Sequence, residues 1–175
     1  VLLRGGCIHH DHGVLGACEY QDAEERRIRI LKESGFNAVR MAHNPASQTT
    51  LEICDRLGMY VMNEAFDGWY IPKTYHDYSR RFETDWRSDV TAMVESSRNH
   101  PCVIMYSIGN EVSETATPKG VEVCKRLTEF VHSLDNTRPV TAGVNVLLNV
   151  YASMGMGVYK DKGDYKPEPL PPKRG

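Results

Sequence analysis

No apolar run in the 175 residues approaches the roughly 20 needed to cross a bilayer, and the opening Val1-Leu2-Leu3-Arg4-Gly5-Gly6 lacks the charged and apolar regions of a signal peptide. The chain is therefore expected to insert into no membrane. Charge of one sign is also missing: 21 Lys+Arg against 23 Asp+Glu leave a net −2, so no general field draws in nucleic acid or an anionic lipid surface. The five cysteines, Cys7, Cys18, Cys54, Cys102 and Cys124, are odd in number and never spaced Cys-x-x-Cys. That pattern excludes a disulfide scaffold and predicts reduced, mostly buried thiols in a reducing, cytoplasmic compartment. A Gly-rich phosphate loop is absent as well, because Cys7-Ile8-His9-His10-Asp11-His12 stands where it would follow the first strand. A nucleotide-binding fold loses ground accordingly, and no cofactor is expected.

What is present is a globular composition, 41% hydrophobic and 25% charged, with regularly alternating elements. Residues 5–12 read as a strand running into a polar loop, and Asp22-Ala23-Glu24-Glu25 resembles a capping box that opens a helix stopped by Gly35. A short strand follows at 38–41, then a helix over 50–57 ended by Gly58, and a mostly apolar strand at 59–63. Trp86, Val90, Met93 and Val94 give a helical face within 84–98, and a buried strand is expected at 103–108. Thr117-Pro118 starts the next helix in the favoured N-cap and N1 positions, and 139–143 makes a fifth strand.

Five strands alternating with four helices specify an α/β fold with a parallel sheet and right-handed crossovers. Polar and ionisable residues gather after successive strands: His9 to His12, Arg40 with His43 and Asn44, Glu64 with Asp67, and Asn110 with Glu111. A (β/α) barrel collects its site in this way, from the loops at one face. Eight units and about 250 residues make a complete barrel. The expected architecture is thus a partial barrel, its first five strands and four helices within residues 1–158, followed by a Pro- and Lys-rich loop or tail at 159–175. Its two open sheet edges invite self-association.

The segment richest in chemistry is Tyr106-Ser107-Ile108-Gly109-Asn110-Glu111-Val112, where a buried strand delivers an amide beside a carboxylate. A carboxyl partly screened from water can serve as a general acid, and an adjacent Asn can bond a substrate hydroxyl. Taken alone, the dipeptide is equally compatible with a solvated loop carboxylate. His9-His10-Asp11-His12 invites a second reading, a zinc site of the kind seen in metal-dependent amidohydrolase barrels. Those barrels need further ligands from later strands, and the fourth strand offers neither Lys nor His, so hydrogen bonding is preferred and no metal is assigned.

Four stretches taken together, Arg4 to His12, Gly35 to Pro45, Cys54 to Asp67 and Arg98 to Glu111, resemble the central barrel domain of glycoside hydrolase family 2 in order and spacing. That family includes β-galactosidases, β-glucuronidases and β-mannosidases. The resemblance implies that Glu111 is the acid/base carboxylate, that Asn110 contacts the sugar 2-hydroxyl, and that Arg40 and His43 belong to the sugar pocket. It also implies retention of configuration, with a nucleophilic Glu after a seventh strand that this sequence does not reach. Glu64 reads as an active-site or structural carboxylate rather than a replacement nucleophile. Asp11 is assigned to a substrate hydroxyl, and Trp69 to stacking on a sugar face, with burial in the loop core as its alternative. The Glu and His ligands of the magnesium site often carried by the β-galactosidase branch have no counterpart here. The expected function is therefore a β-galactosidase-like glycosidase fragment acting on a carbohydrate, inactive by itself. A non-catalytic, carbohydrate-binding or self-associating half-barrel is the alternative.

Overall fold

A computed structural model of the chain describes residues 1–74 and 76–156. The sequence-read tail at 159–175 lies outside the described residues. Five strands, β1 (Gly5–His9), β2 (Ala38–Ala42), β3 (Tyr60–Glu64), β4 (Val103–Asn110) and β5 (Val140–Gly143), form one sheet in chain order, every neighbouring pair parallel. Helices α1 (Gln21–Glu33), α2 (Gln48–Leu57), α3 (Ser79–Ser97) and α4 (Pro118–Leu134) make the connections, with a 3₁₀ turn at Ser113–Ala116 and a further helix, α5 (Val146–Ser153), after β5. No helix among the described residues is long and apolar enough to cross a membrane.

Local chemistry explains most of these boundaries. The Ser47 hydroxyl accepts from Thr50 N at 3.1 Å to open α2, and Gly58 closes it in the left-handed conformation at φ 68°. Thr117 does the same for α4, accepting from Gly120 N at 3.1 Å, with Pro118 in the first turn. The expected capping box at Asp22 does not form. The N-cap of α1 is Tyr20, without a side-chain cap, and Glu25, which would have closed the box, accepts from Arg29 Nε at 2.9 Å and Arg56 Nη2 at 2.6 Å. Ion pairing with two guanidiniums displaced a weaker local bond. Helix α3 starts at Ser79, earlier than the apolar face indicated, because Phe82 and Asp85 are already buried there. Helix α5 was not anticipated, since the run Val146-Leu147-Leu148 lacks a polar alternation to mark a face.

The core lies between the sheet and the helices, where Ile28, Leu51, Val61, Phe82, Trp86, Val90, Tyr106 and Leu127 are buried. Close packing at its upper end requires Gly109. A Cβ there would fall 2.8 Å from Trp69 Nε1, and it is that indole N–H which donates to Ile108 O at 2.7 Å. The cysteines correct the sequence expectation of mostly buried thiols. All five are free, but only Cys54 and Cys102 are buried, whereas Cys7 and Cys18 are exposed on β1 and the loop after it.

Candidate active site

Parallel pairing aligns the C-terminal ends of β2, β3 and β4, and the polar residues predicted after those strands meet there. Glu64, the last residue of β3, is 0% exposed, and burying a carboxylate costs several kcal/mol unless it is paired. Four bonds compensate it. Its Oε2 accepts from Arg40 Nε at 2.9 Å, Arg40 Nη2 at 2.6 Å and Ser107 Oγ at 2.5 Å, and its Oε1 bonds His43 Nδ1 at 2.7 Å. Burial opposes the charge on Arg40, but the bonds and charge of Glu64 outweigh it and raise the guanidinium pKa.

The same guanidinium fixes Asn110. Arg40 Nη2 donates to Asn110 Oδ1 at 2.9 Å, and Asn110 Nδ2 donates to Asp67 Oδ1 at 2.9 Å, so the amide has one orientation. Lys73 Nζ closes the circuit, donating to Asp67 O and Oδ1 at 2.7 Å each and to Asn110 O at 2.8 Å. Burial raises the pKa of Asp67, but the bonds from Lys73 and Asn110 prevail and hold it below the usual carboxylate range. Among the described residues this leaves one N–H of the Asn110 amide for an incoming hydroxyl.

Glu111 follows at once, half-buried, with φ 46°. A non-glycine residue in the left-handed region costs about 1–2 kcal/mol, and such positions cluster at functional sites. Its Oε1 accepts from Asn145 Nδ2 at 3.0 Å. The geometry brings Arg40, His43, Asn110 and Glu111 into one region, built around a carboxylate and an asparagine.

One expected site residue, Trp69, turns away from this face, and Asp11 makes no bond to it among the described residues. Trp69 is 0% exposed, its ring near Phe82 and its N–H spent on Ile108 O, so no indole face is open to stack on a sugar and the core reading replaces the substrate one. Asp11 is exposed on the β1–α1 loop, its carbonyl 3.4 Å from Arg27 Nη1, and no bond among the described residues ties its carboxylate to Asn110. The histidines beside it diverge. His9 packs edge-on against His43 at 5.1 Å, His10 Nδ1 bonds Glu19 at 2.5 Å, and His12 Nε2 bonds the buried Glu24 at 2.6 Å. Among the described residues no group of three or more His, Cys, Asp or Glu is arranged to hold a metal ion.

Sequence reasoning missed Lys73, Glu114 and Asn145. Glu114 Oε1 accepts from Tyr70 N and Ile71 N at 2.7 Å each, bracing the β3–α3 loop on which Lys73 rides. Lys73 and Glu114 sit away from strand ends, so position gave no signal beyond the Pro72-Lys73 step in a polar loop, whereas Asn145, two residues after β5, followed the same polar-after-strand pattern as Asp67.

The His10–Glu19 pair also links loops, since His10 Nε2 lies 3.2 Å from Asn44 O, beside His43. The Glu19 bond raises the His10 pKa above its usual 6.5. Burial opposes ionisation of Glu19, yet bonds from His10, Ser47 and Thr50 bring its pKa down from 4.5 to about 2. The histidine contribution is complete below pH 6.5 and lost as pH rises through its raised value; that of Glu19 is complete above pH 4.5 and lost as pH falls towards about 2. The stability difference between wild type and Glu19→Gln, followed by melting temperature, is therefore largest between pH 4.5 and 6.5 and shrinks on both sides. A difference flat with pH would remove the coupling.

Known proteins resemble the chain in sequence and in fold. A family profile described as the glycosyl hydrolases family 2 TIM barrel domain matches residues 1–167. The β-galactosidase BoGH2A of Bacteroides ovatus is 41% identical over 174 residues, covering 82% of this chain and 20% of that protein. A putative β-glucuronidase of Formosa agariphila is 34% identical over 144 residues, covering 82% of this chain and 13% of its own length. The crystal structure of a glycosyl hydrolase family 2 member from Bacteroides cellulosilyticus superposes with a TM-score of 0.80 at 55% identity, covering 82% of this chain and 18% of that one. The chain thus spans about a fifth or less of the length of these relatives. A profile matching residues 1–167, and a solved family 2 structure that is 55% identical, lead to one conclusion: the chain belongs to glycosyl hydrolase family 2.

Proposed function

We propose that this chain is the first part of a catalytic barrel that cleaves terminal β-linked sugars with retention, and that it supplies the acid/base carboxylate and one wall of the sugar pocket. The observation that carries the reading is Asn110-Glu111 at the end of β4, with the Asn110 amide locked between Arg40 and Asp67. Glu111 then protonates the leaving oxygen while a nucleophilic carboxylate attacks the anomeric carbon, and in the second step it takes a proton from water. In a retaining enzyme that nucleophile lies roughly 5–5.5 Å from the acid. It is proposed to come from a later strand, so that this chain alone is inactive. An open inner sheet face supports the need for more barrel: Leu3, Cys7, Arg40, Met62, Ile104 and Met105 line a groove of about 310 Å³ there.

Charge favours a neutral sugar. A cation free of other carboxylates would favour the glucuronic acid carboxylate, whereas among the described residues of this face Arg40 is bound to Glu64 and Lys73 to Asp67. Galactose is therefore preferred, in line with the 41% identical β-galactosidase.

The test is hydrolysis of aryl β-galactosides, β-glucuronides and β-mannosides by the 175-residue chain and by the full-length protein that carries it, each beside Glu111→Gln. The expected result is no release by the chain, and release from the galactoside by the longer protein, lost in Glu111→Gln. Turnover by the chain itself would place a nucleophile within these residues and overturn the fragment reading. Preference for the glucuronide would overturn the sugar assignment.

A further inference from the structure

The acid/base reading leaves open what orients the Glu111 carboxylate, and one residue that bonds it comes from an element that the sequence did not announce. Asn145 is the N-cap of α5, and its Oδ1 accepts from Leu147 N at 3.1 Å and Leu148 N at 3.3 Å. The cap consumes the oxygen end of the amide. What remains is Nδ2, a pure donor, and it lies 3.0 Å from Glu111 Oε1. An amide facing a carboxylate can normally flip; this one cannot flip without uncapping a helix. The helix is itself held in place, because Asn149 on α5 and Thr115 on the 3₁₀ turn exchange bonds at 2.8 and 3.1 Å. That turn begins two residues after Glu111.

We infer that Asn145 is a positioning residue for Glu111, its cap-locked N–H holding Oε1 as an acceptor. The left-handed backbone at Glu111 fixes the side chain from the main-chain end, and the Asn145 donor holds the carboxylate from the other. The inference rests on the reading of Glu111 as the acid/base group.

Asn145→Asp separates positioning from capping. Asp caps a helix about as well as Asn, so α5 is retained, but the donor is replaced by an acceptor set against the Glu111 carboxylate. The charged groups bonded to the adjacent strand end, Arg40 through Asn110 Oδ1, Asp67 through its Nδ2 and Lys73 through its carbonyl, stay as they are, as does Glu114 on the 3₁₀ turn. Carbon-13 NMR titration of the glutamate carboxyls in the 175-residue chain reads the effect, the Glu111 signal being assigned by its loss in Glu111→Gln. Loss of the donor and the added like charge are expected to raise the Glu111 pKa by about one unit or more, with the fold retained and the melting temperature lowered only at pH above that titration, where the two carboxylates repel. Asn145→Ser, a cap too short to reach Glu111, should move it the same way by less. An unmoved Glu111 titration in both variants would overturn the inference. Because this readout needs no turnover, its failure is distinct from failure of the acid/base reading, which appears as full activity of Glu111→Gln in the longer protein. In that protein the alkaline limb of kcat/KM should follow the NMR shift; a limb that stays put while Glu111→Gln is inactive would also count against positioning.

Discussion

Glu64→Ala is expected to lower the stability of the chain by about 3 kcal/mol, the low end for breaking a buried pair by removing one partner. The low end applies because the Arg40 side chain keeps 23% exposure and its bond to Asn110. For a chain of this length the loss corresponds to a fall in melting temperature of about 6–12 °C. The cost is electrostatic more than steric. Removing the carboxylate strands the Arg40 guanidinium, the Ser107 hydroxyl and the His43 ring without their shared acceptor. Glu64→Gln keeps the volume but turns an amide donor towards groups that also donate, and about half the loss is expected. A double-mutant cycle supplies the control. Arg40→Ala with Glu64→Ala should cost clearly less than the two single changes added, because no buried charge is then left uncompensated. Urea unfolding measures all four proteins, and a Glu64→Ala loss below about 1 kcal/mol would show that the carboxylate is not what holds the strand ends together.

The contrast between Glu64 and Trp69 shows how far the sequence was legible. Strand positions followed from apolar runs bounded by glycine and proline, and the functional loops from polar residues just after those strands, so that Arg40, His43, Asn110 and Glu111 were placed at one face before any coordinates. Periodicity and end signals are local, and strand ends inherit their grouping from parallel pairing. Side-chain direction is not local. Trp69 lies in a loop at the active face yet turns inward, because Gly109 leaves room for the indole against β4 and Ile108 O accepts its N–H. Glu25 looked like the end of a capping box until Arg56, from a different helix, took it. Asn145 and Lys73 escaped notice for the same reason: each acts on a residue more than 30 positions away, a distance that no spacing rule covers.

The second large effect is on turnover. On the function proposed above, Glu111→Gln in the longer protein should lower kcat/KM for an alkyl or phenyl β-galactoside by about 10²–10⁴-fold, the range for losing a general acid. At 1.36 kcal/mol per tenfold this is about 2.7–5.4 kcal/mol of transition-state stabilisation. The substitution is conservative everywhere else. Glutamine keeps the side-chain length, and its amide oxygen can still accept from Asn145 Nδ2, so the melting temperature should hold. The diagnostic is the leaving group. A 2,4-dinitrophenolate departs without protonation, so with that substrate kcat/KM should fall by less than about tenfold. Its kcat should still drop, because the second step has lost the base that activates water, and the glycosyl-enzyme should accumulate as an initial burst of phenolate. Azide, which attacks without needing a base, should restore kcat and give a glycosyl azide of retained configuration. Equal losses for good and poor leaving groups, with no burst and no azide effect, would mean that Glu111 shapes the pocket without moving a proton. The acid/base role would then pass from Glu111 to another carboxylate of the complete barrel.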